Sequence, residues 1–277
     1  MSGDASAAEA AKGQVDIIGH ILDSKFLEVP FINANRYFDG HILLPQFDPI
    51  FGIDFSITRH LVMLWVASAL LIVSMLTAFR RRQLVPSGMA NLFEAMVVFI
   101  RDEVVESTMG ERGRPFLPFL LTIFFLILFC NLVGMIPYSA TATGNISVTA
   151  ALALCTFVVI QVTGIANNGL FGYFKSLVPS GMPVWLLPIM IPIEILTLFA
   201  KPFALCIRLF ANMIAGHVAI LVFLGLIIML QSYLVAPFSV VLAAAIYLLE
   251  IFIAFIQAFI FTLLSALLIS MAAHPEH

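Results

Sequence analysis

Residues 193–230 and 235–273 form two apolar runs of close to forty residues each, separated by a break at Gln231–Pro237. At 1.5 Å per residue each would make a helix of roughly 57–60 Å. The hydrocarbon core of a bilayer is only about 30 Å thick. Two helices of that length must tilt steeply or bend along something, and the break makes them an antiparallel hairpin. The first run has Glu194, Lys201, Arg208, Asn212 and His217 embedded in it; the second has one charge, Glu250, with Tyr247, Gln257, Thr262 and Ser265 nearby. Pro183, Pro188 and Pro192 interrupt the residues before the hairpin, so regular helix is expected to start near Pro192.

Arg208 raises the sharpest question. A guanidinium stays protonated at any physiological pH. At the centre of a membrane helix it costs about 2.5–3.5 kcal/mol on insertion scales. A chain tolerates this only where a partner charge or a wet cavity meets it. If the hairpin turns near residue 233, His217 lies opposite Glu250 and Arg208 opposite Gln257. Arg208 and Asn212 are four apart and share a helix face; His217 is about half a turn round from Arg208.

The chain as a whole reads as a polytopic membrane protein. It has 277 residues, 62% hydrophobic and 10% charged, against roughly 45–50% and 25% in soluble domains. The net charge of −3 is too small to suggest nucleic acid as a partner. Cys130, Cys155 and Cys206 fall in apolar runs and read as small hydrophobes, with neither a disulfide framework nor a metal site expected. No internal repeat of the transporter kind is visible.

Residues 1–58 are the polar part, expected outside the membrane, without the apolar core of a signal peptide. Val15–Leu27 suits a short amphipathic helix, and Pro30–Pro49 suits irregular structure at a membrane surface. His20, His41 and His60 read as solvated or interfacial, not as metal ligands. The expected spans are about 61–79, 116–138, 146–165, 193–230 and 235–273. Arg80, Arg81 and Arg82 close the first span and mark its cytoplasmic end. That places the N-terminus outside and the C-terminus in the cytoplasm. Over about 87–106, Met89, Leu92, Phe93, Met96, Val97, Ile100 and Val104 recur at helical spacing, with Asn91, Glu94, Asp102 and Glu106 on the other face. This is an amphipathic helix expected to lie at the cytoplasmic interface, as a linker or as a docking site. The fold class is therefore all-α and integral to the membrane: five crossing helices plus an interfacial one, the last two long, tilted and antiparallel. Asn131 and Pro137 sit at the outer end of the second span, before an uncharged loop, SATATGN.

Three readings fit the intramembrane polar groups. They are a buried ion pair that fixes hairpin register, a proton-coupled secondary transporter or channel, or a stator in which Arg208 meets an acid on another subunit. RLFANMIAGH, preceded by KPFALCI, resembles the signature of subunit a of the F-type ATP synthase membrane sector. LLEIFIAFIQAFIFTLLSALLISMA is similar to that family's last helix, and NLVGMIPYSATAT to its second-span exit. The resemblance covers most of Pro115–His277. It implies a five-span subunit with no catalysis of its own and no cofactor, working with a ring of c subunits, peripheral-stalk b subunits and the rest of the complex in a bacterial inner membrane. It implies that Arg208 is the essential charge facing a ring carboxylate. An outer proton path would then include His217, Glu250, Gln257, Asn212 and Asn131, and an inner one Glu194, Ser265 and Thr262. Some family members carry glutamate at the position of His217 and histidine at that of Glu250, an exchange that makes sense if the two groups touch.

Overall fold

In the computed structural model the described residues are 26–28, 41–43, 57–80, 87–136, 140–176, 186–230 and 235–273. Two three-residue strands, β1 (Phe26–Glu28) and β2 (His41–Leu43), pair antiparallel with Leu27 opposite Ile42. Part of the expected Val15–Leu27 helix is thus a strand, and residues 15–25 lie outside the described set. The irregular stretch expected over Pro30–Pro49 likewise contains β2. The two segments supply each other's backbone partners, and local periodicity carries no trace of so distant a pairing.

Everything else is helical. The helices are α1 (Arg59–Ala78), α2 (Met89–Phe99), α3 (Leu117–Gly134), α4 (Ile146–Ser176), α5 (Leu187–Leu230) and α6 (Val235–Ala273). Among the described residues, five helical stretches are long and apolar enough to cross a membrane: 59–78, 89–134, 146–169, 188–223 and 237–273. Helices suit that solvent because every interior N–H and C=O is satisfied within the segment. The hydroxyls follow the same rule. Ser68 donates to Leu64 O, Thr122 to Pro118 O and Thr156 to Leu152 O, each one turn back.

The first turn of α5 includes Pro188, so the helix begins at Leu187 and not near Pro192. A proline in the first turn lacks an N–H that would have had no partner in any case. Pro192 and Pro202 are both accommodated inside α5, which is about 66 Å long at 1.5 Å per residue. The third span continues to Ser176, but at Gly169 (φ 70°) the backbone leaves the helix and turns. This folds Tyr173 back so that its hydroxyl donates to Gln161 Oε1 at 2.8 Å, with the ring seated on Gly164, where any Cβ would collide with it.

The α2 helix runs on through a π-helical segment, Ile100–Glu106, and a tight turn into α3. Of its apolar stripe, Phe93, Ile100 and Val104 are buried in the bundle, whereas Met89 and Leu92 stay exposed. Phe93 stacks at 6.4 Å on Phe129 and meets Phe125 edge-on at 5.8 Å. The main core joins α2, α3, α5 and α6 through Phe93, Leu120, Phe124, Leu209, Phe261 and Ile269. Phe124 is fully buried and meets Phe255 of α6 at 90° and 5.8 Å. A second cluster, Ala67, Cys130, Val133 and Ala142, packs α1 against the C-terminal end of α3 and the turn after it. At that end of α1 Arg59 and His60 are buried, 4% and 3% exposed. Of the solvated and interfacial positions expected for His60, burial removes the solvated one.

Two polar ties fasten the end of α6. Ser270 Oγ donates to Thr108 O at 2.9 Å, and Asn168 Nδ2 donates to Ala272 O at 3.0 Å.

Candidate functional site

Helices α5 and α6 pack along each other, and their few polar residues sort into an inward set and an outward one. On the inward side His217 Nδ1 lies 2.9 Å from Glu250 Oε1. Glu250 is 3% exposed, and its Oε2 is buried with no hydrogen-bond partner. Such an oxygen calls for a water or a proton, because an unpaired buried carboxylate oxygen is costly. The imidazole has four neighbours. Nδ1 also approaches Met213 O at 3.2 Å, one turn back on α5. Nε2 lies 3.1 Å from Gly134 O and 3.0 Å from Thr141 Oγ1. The ring therefore bridges α6 to the C-terminal end of α3.

Gly216 makes this pair possible. A Cβ there would stand 2.5 Å from Glu250 Oε1 and 2.8 Å from its carboxyl carbon. Gly216→Ala is expected to push the carboxylate off Nδ1, lengthening the 2.9 Å contact in a structure of the variant; an unchanged distance would show that the pair tolerates the added methyl group.

Seven residues along α6 from Glu250 lies Gln257, also 3% exposed. Its Oε1 accepts from Asn212 Nδ2 at 2.8 Å. Among the described residues the partner of Gln257 is thus Asn212, one turn along α5 from Arg208, and no hydrogen bond joins Gln257 to Arg208. Asn131 is fully buried, accepts at Oδ1 from Thr143 Oγ1 at 2.7 Å, and donates from Nδ2 to Ala254 O at 3.4 Å. Thus His217, Glu250 and Asn131 converge where α3, α5 and α6 meet, while Asn212 and Gln257 form a separate contact further along the hairpin.

Thr262 and Ser265 are fully buried on α6, with their hydroxyls donated to Ala258 O and Phe261 O at 2.8 and 2.7 Å. Glu194 is half-buried near the start of α5 and has no hydrogen bond or ion pair among the described residues. No contact joins it to Thr262 or Ser265.

Arg208 is on the outward side. It is exposed, and among the described residues it has no hydrogen bond and no ion pair. Around it the same face of α5 presents Ala200, Ala204, Ala211, Asn212 and Ala215 at helical spacing, all exposed. Phe199 and Phe203 flank this strip, 58% and 66% exposed. Small residues let a second helix come close to a membrane helix backbone. The alanine strip, Thr141, Thr143, Gly134 and Gly216 were not among the residues singled out from the sequence. The alanine spacing alone was visible there.

No cluster of His, Cys, Asp and Glu able to hold a metal is present among the described residues. The fold and site define a class: a multi-pass integral membrane protein with a buried acid–imidazole pair inside and, on an exposed apolar face, an arginine with no partner among the described residues. The ATP synthase A chain family matches residues 61–270, and the chain belongs to that family. It is 48% identical over 272 residues to the ATP synthase subunit a of Chloroherpeton thalassium, covering 95% of this chain and 78% of that one. It is 52% identical over 229 residues to that of Myxococcus xanthus, covering 81% and 75%. With the ATP synthase subunit a 2 of Prosthecochloris aestuarii it shares 47% over 281 residues, covering 99% and 85%.

Proposed function

We propose that the chain is the proton-conducting stator of an F-type ATP synthase, presenting Arg208 to a carboxylate on a neighbouring ring of c subunits. The observation that carries this is the state of Arg208: a permanent cation on an apolar face, without a partner among the described residues of its own chain and bordered by alanines. Lipid cannot satisfy it. A helix bearing an acid, pressed against the alanine strip, would.

The outer proton passage is assigned to His217 and Glu250, with Asn131, Gln257 and Asn212 as polar neighbours. The orphaned Glu250 Oε2 supports water there. A proton delivered from the outer side neutralises a ring carboxylate, which then moves through lipid as a neutral acid. The inner passage is proposed at Glu194, with Ser265 and Thr262 available as acceptors, since their hydroxyl hydrogens are already committed. Arg208 stands between the passages. Its charge lowers the proton affinity of an approaching carboxylate and drives release inward, and it repels protons that would leak straight across. Each charge moved gains about 2.3 kcal/mol per 100 mV of membrane potential. The N-terminus is assigned to the outer side, the C-terminus to the cytoplasm of a bacterial inner membrane, and α2 to the cytoplasmic interface, where b subunits can dock.

Disulfide trapping tests the facing surface. In a chain carrying Cys155→Ser, Ala204→Cys and Ala211→Cys should each cross-link in assembled membranes to a cysteine placed one turn from the ring carboxylate. Cysteine at Leu154, an exposed site on α4, should not. Cross-linking from Leu154 alone would move the partner to another face and overturn the assignment.

A further inference from the structure

We propose that Thr141 is the residue that orients His217 for proton exchange with Glu250, and that the loop carrying it is built as a seat for that ring. The inference rests on the outer passage proposed above. Connecting segments normally run over a surface, because a buried loop strands backbone polar groups. This one does not. Ala140, Thr141, Ala142 and Thr143 are all buried. Its backbone is satisfied locally: Gly144 N donates to Thr141 O at 2.9 Å and Asn145 N to Ala142 O at 3.2 Å, while Asn145 Oδ1 caps α4 by accepting from Ser147 N at 2.8 Å.

Two further contacts pin the loop to the bundle. Thr143 bonds Asn131, which reaches on to Ala254 O. Thr141 rests directly on Gly134, where any Cβ would collide with its hydroxyl and methyl groups. That close approach brings Thr141 Oγ1 and Gly134 O to the same imidazole nitrogen. With Nε2 held at 3.0 and 3.1 Å, rotation of the ring about Cβ–Cγ is opposed, and Nδ1 stays 2.9 Å from Glu250 Oε1.

Thr141 also differs in kind from the other neighbours. Gly134 O and Met213 O can only accept. The hydroxyl both donates and accepts, so it stays partnered whether or not Nε2 carries a proton. The groups facing His217 are Glu250 from α6, the Gly134 carbonyl from α3, the Met213 carbonyl of α5 itself, and Thr141. Tyr247, one turn before Glu250, is engaged with Met135 O at 3.1 Å. Among the described residues, Glu250 is the charged group paired with His217.

The test is proton flux against pH through vesicles containing the assembled complex, with the amount of complex measured in each preparation. Thr141→Val keeps the shape and removes the hydroxyl. It should lower flux ten- to a hundredfold, the range for misplaced reacting groups, and move the pH of half-maximal flux. Thr141→Ser should conduct like the parent with the parent's pH profile. Should the valine variant fail to assemble, Thr141→Ala carries the same expectation. Parent-like flux and profile without the hydroxyl would overturn the proposal, as would a serine variant as impaired as the valine one. His217→Ala in the same vesicles separates the two levels. If it conducts normally, the outer passage itself is wrong; if it is inactive while Thr141→Val is normal, only the role of Thr141 falls.

Discussion

Arg208→Ala abolishes proton-driven ATP synthesis while leaving the complex assembled: that is the expected result, with a loss of at least about a hundredfold, the scale seen when one preorganised charge-stabilising group is removed. Assembly should survive for a structural reason. Arg208 is exposed and has no partner among the described residues of its own chain, so its removal leaves no stranded acid inside the bundle. This differs from breaking a buried pair, where the surviving charge costs about 3–5 kcal/mol. Arg208→Lys should fail as well. Lysine lacks the planar fork, and it can lose its proton once desolvated, whereas a guanidinium does not. Energised membrane vesicles with a luminescent ATP readout decide both cases. Coupled synthesis in either variant at the parent rate would remove Arg208 from the mechanism.

The second large effect concerns the acid–imidazole pair. His217→Glu alone sets two carboxylates together at a site where Glu250 is 3% exposed, and like charges so close cannot both ionise. Glu250→His alone sets two imidazoles there. Combining the changes restores one acid and one base across the same 2.9 Å gap. Flux in the double variant should exceed that of either single change by about tenfold, within the range of coupling energies measured between touching residues. Additive or worse flux would show that the two groups act separately. A helix-swapped imidazole must still clear Gly216, so full recovery is not required.

The hairpin was readable because charges are so rare in its two runs. With few ionisable groups in those runs, a single turn position sets His217 opposite Glu250. The same turn position sets Arg208 near Gln257, and the structure gives Gln257 to Asn212, one turn along α5 from Arg208; numbering along a hairpin gives heights and not which of two neighbouring side chains on a face makes the bond. Counting Pro188 as an interruption puts the start of α5 too late, because a proline in a first turn disrupts nothing. Thr141 and Thr143 were out of reach for another reason. Nothing local tells an uncharged loop that glycine at position 134 leaves room for it to sink into the bundle. The ten-residue signature around Arg208 was the opposite case, specific enough to point to the family without any geometry.

The paired ties at the end of α6 have a mechanical meaning. With Ser270 fastened to the turn after α2 and Asn168 fastened to the last carbonyls of the helix, α6 resembles a beam clamped at one end to two separate supports. A neighbour sliding past its hairpin partner would exert drag, and the clamp passes that load into α2 and α4 instead of letting the beam shift along its axis. Slippage by one helical turn, about 5.4 Å, would carry Glu250 out of reach of His217. Rigidity at the far end thus guards an alignment some thirty ångströms away, at about 1.5 Å per residue between positions 250 and 270.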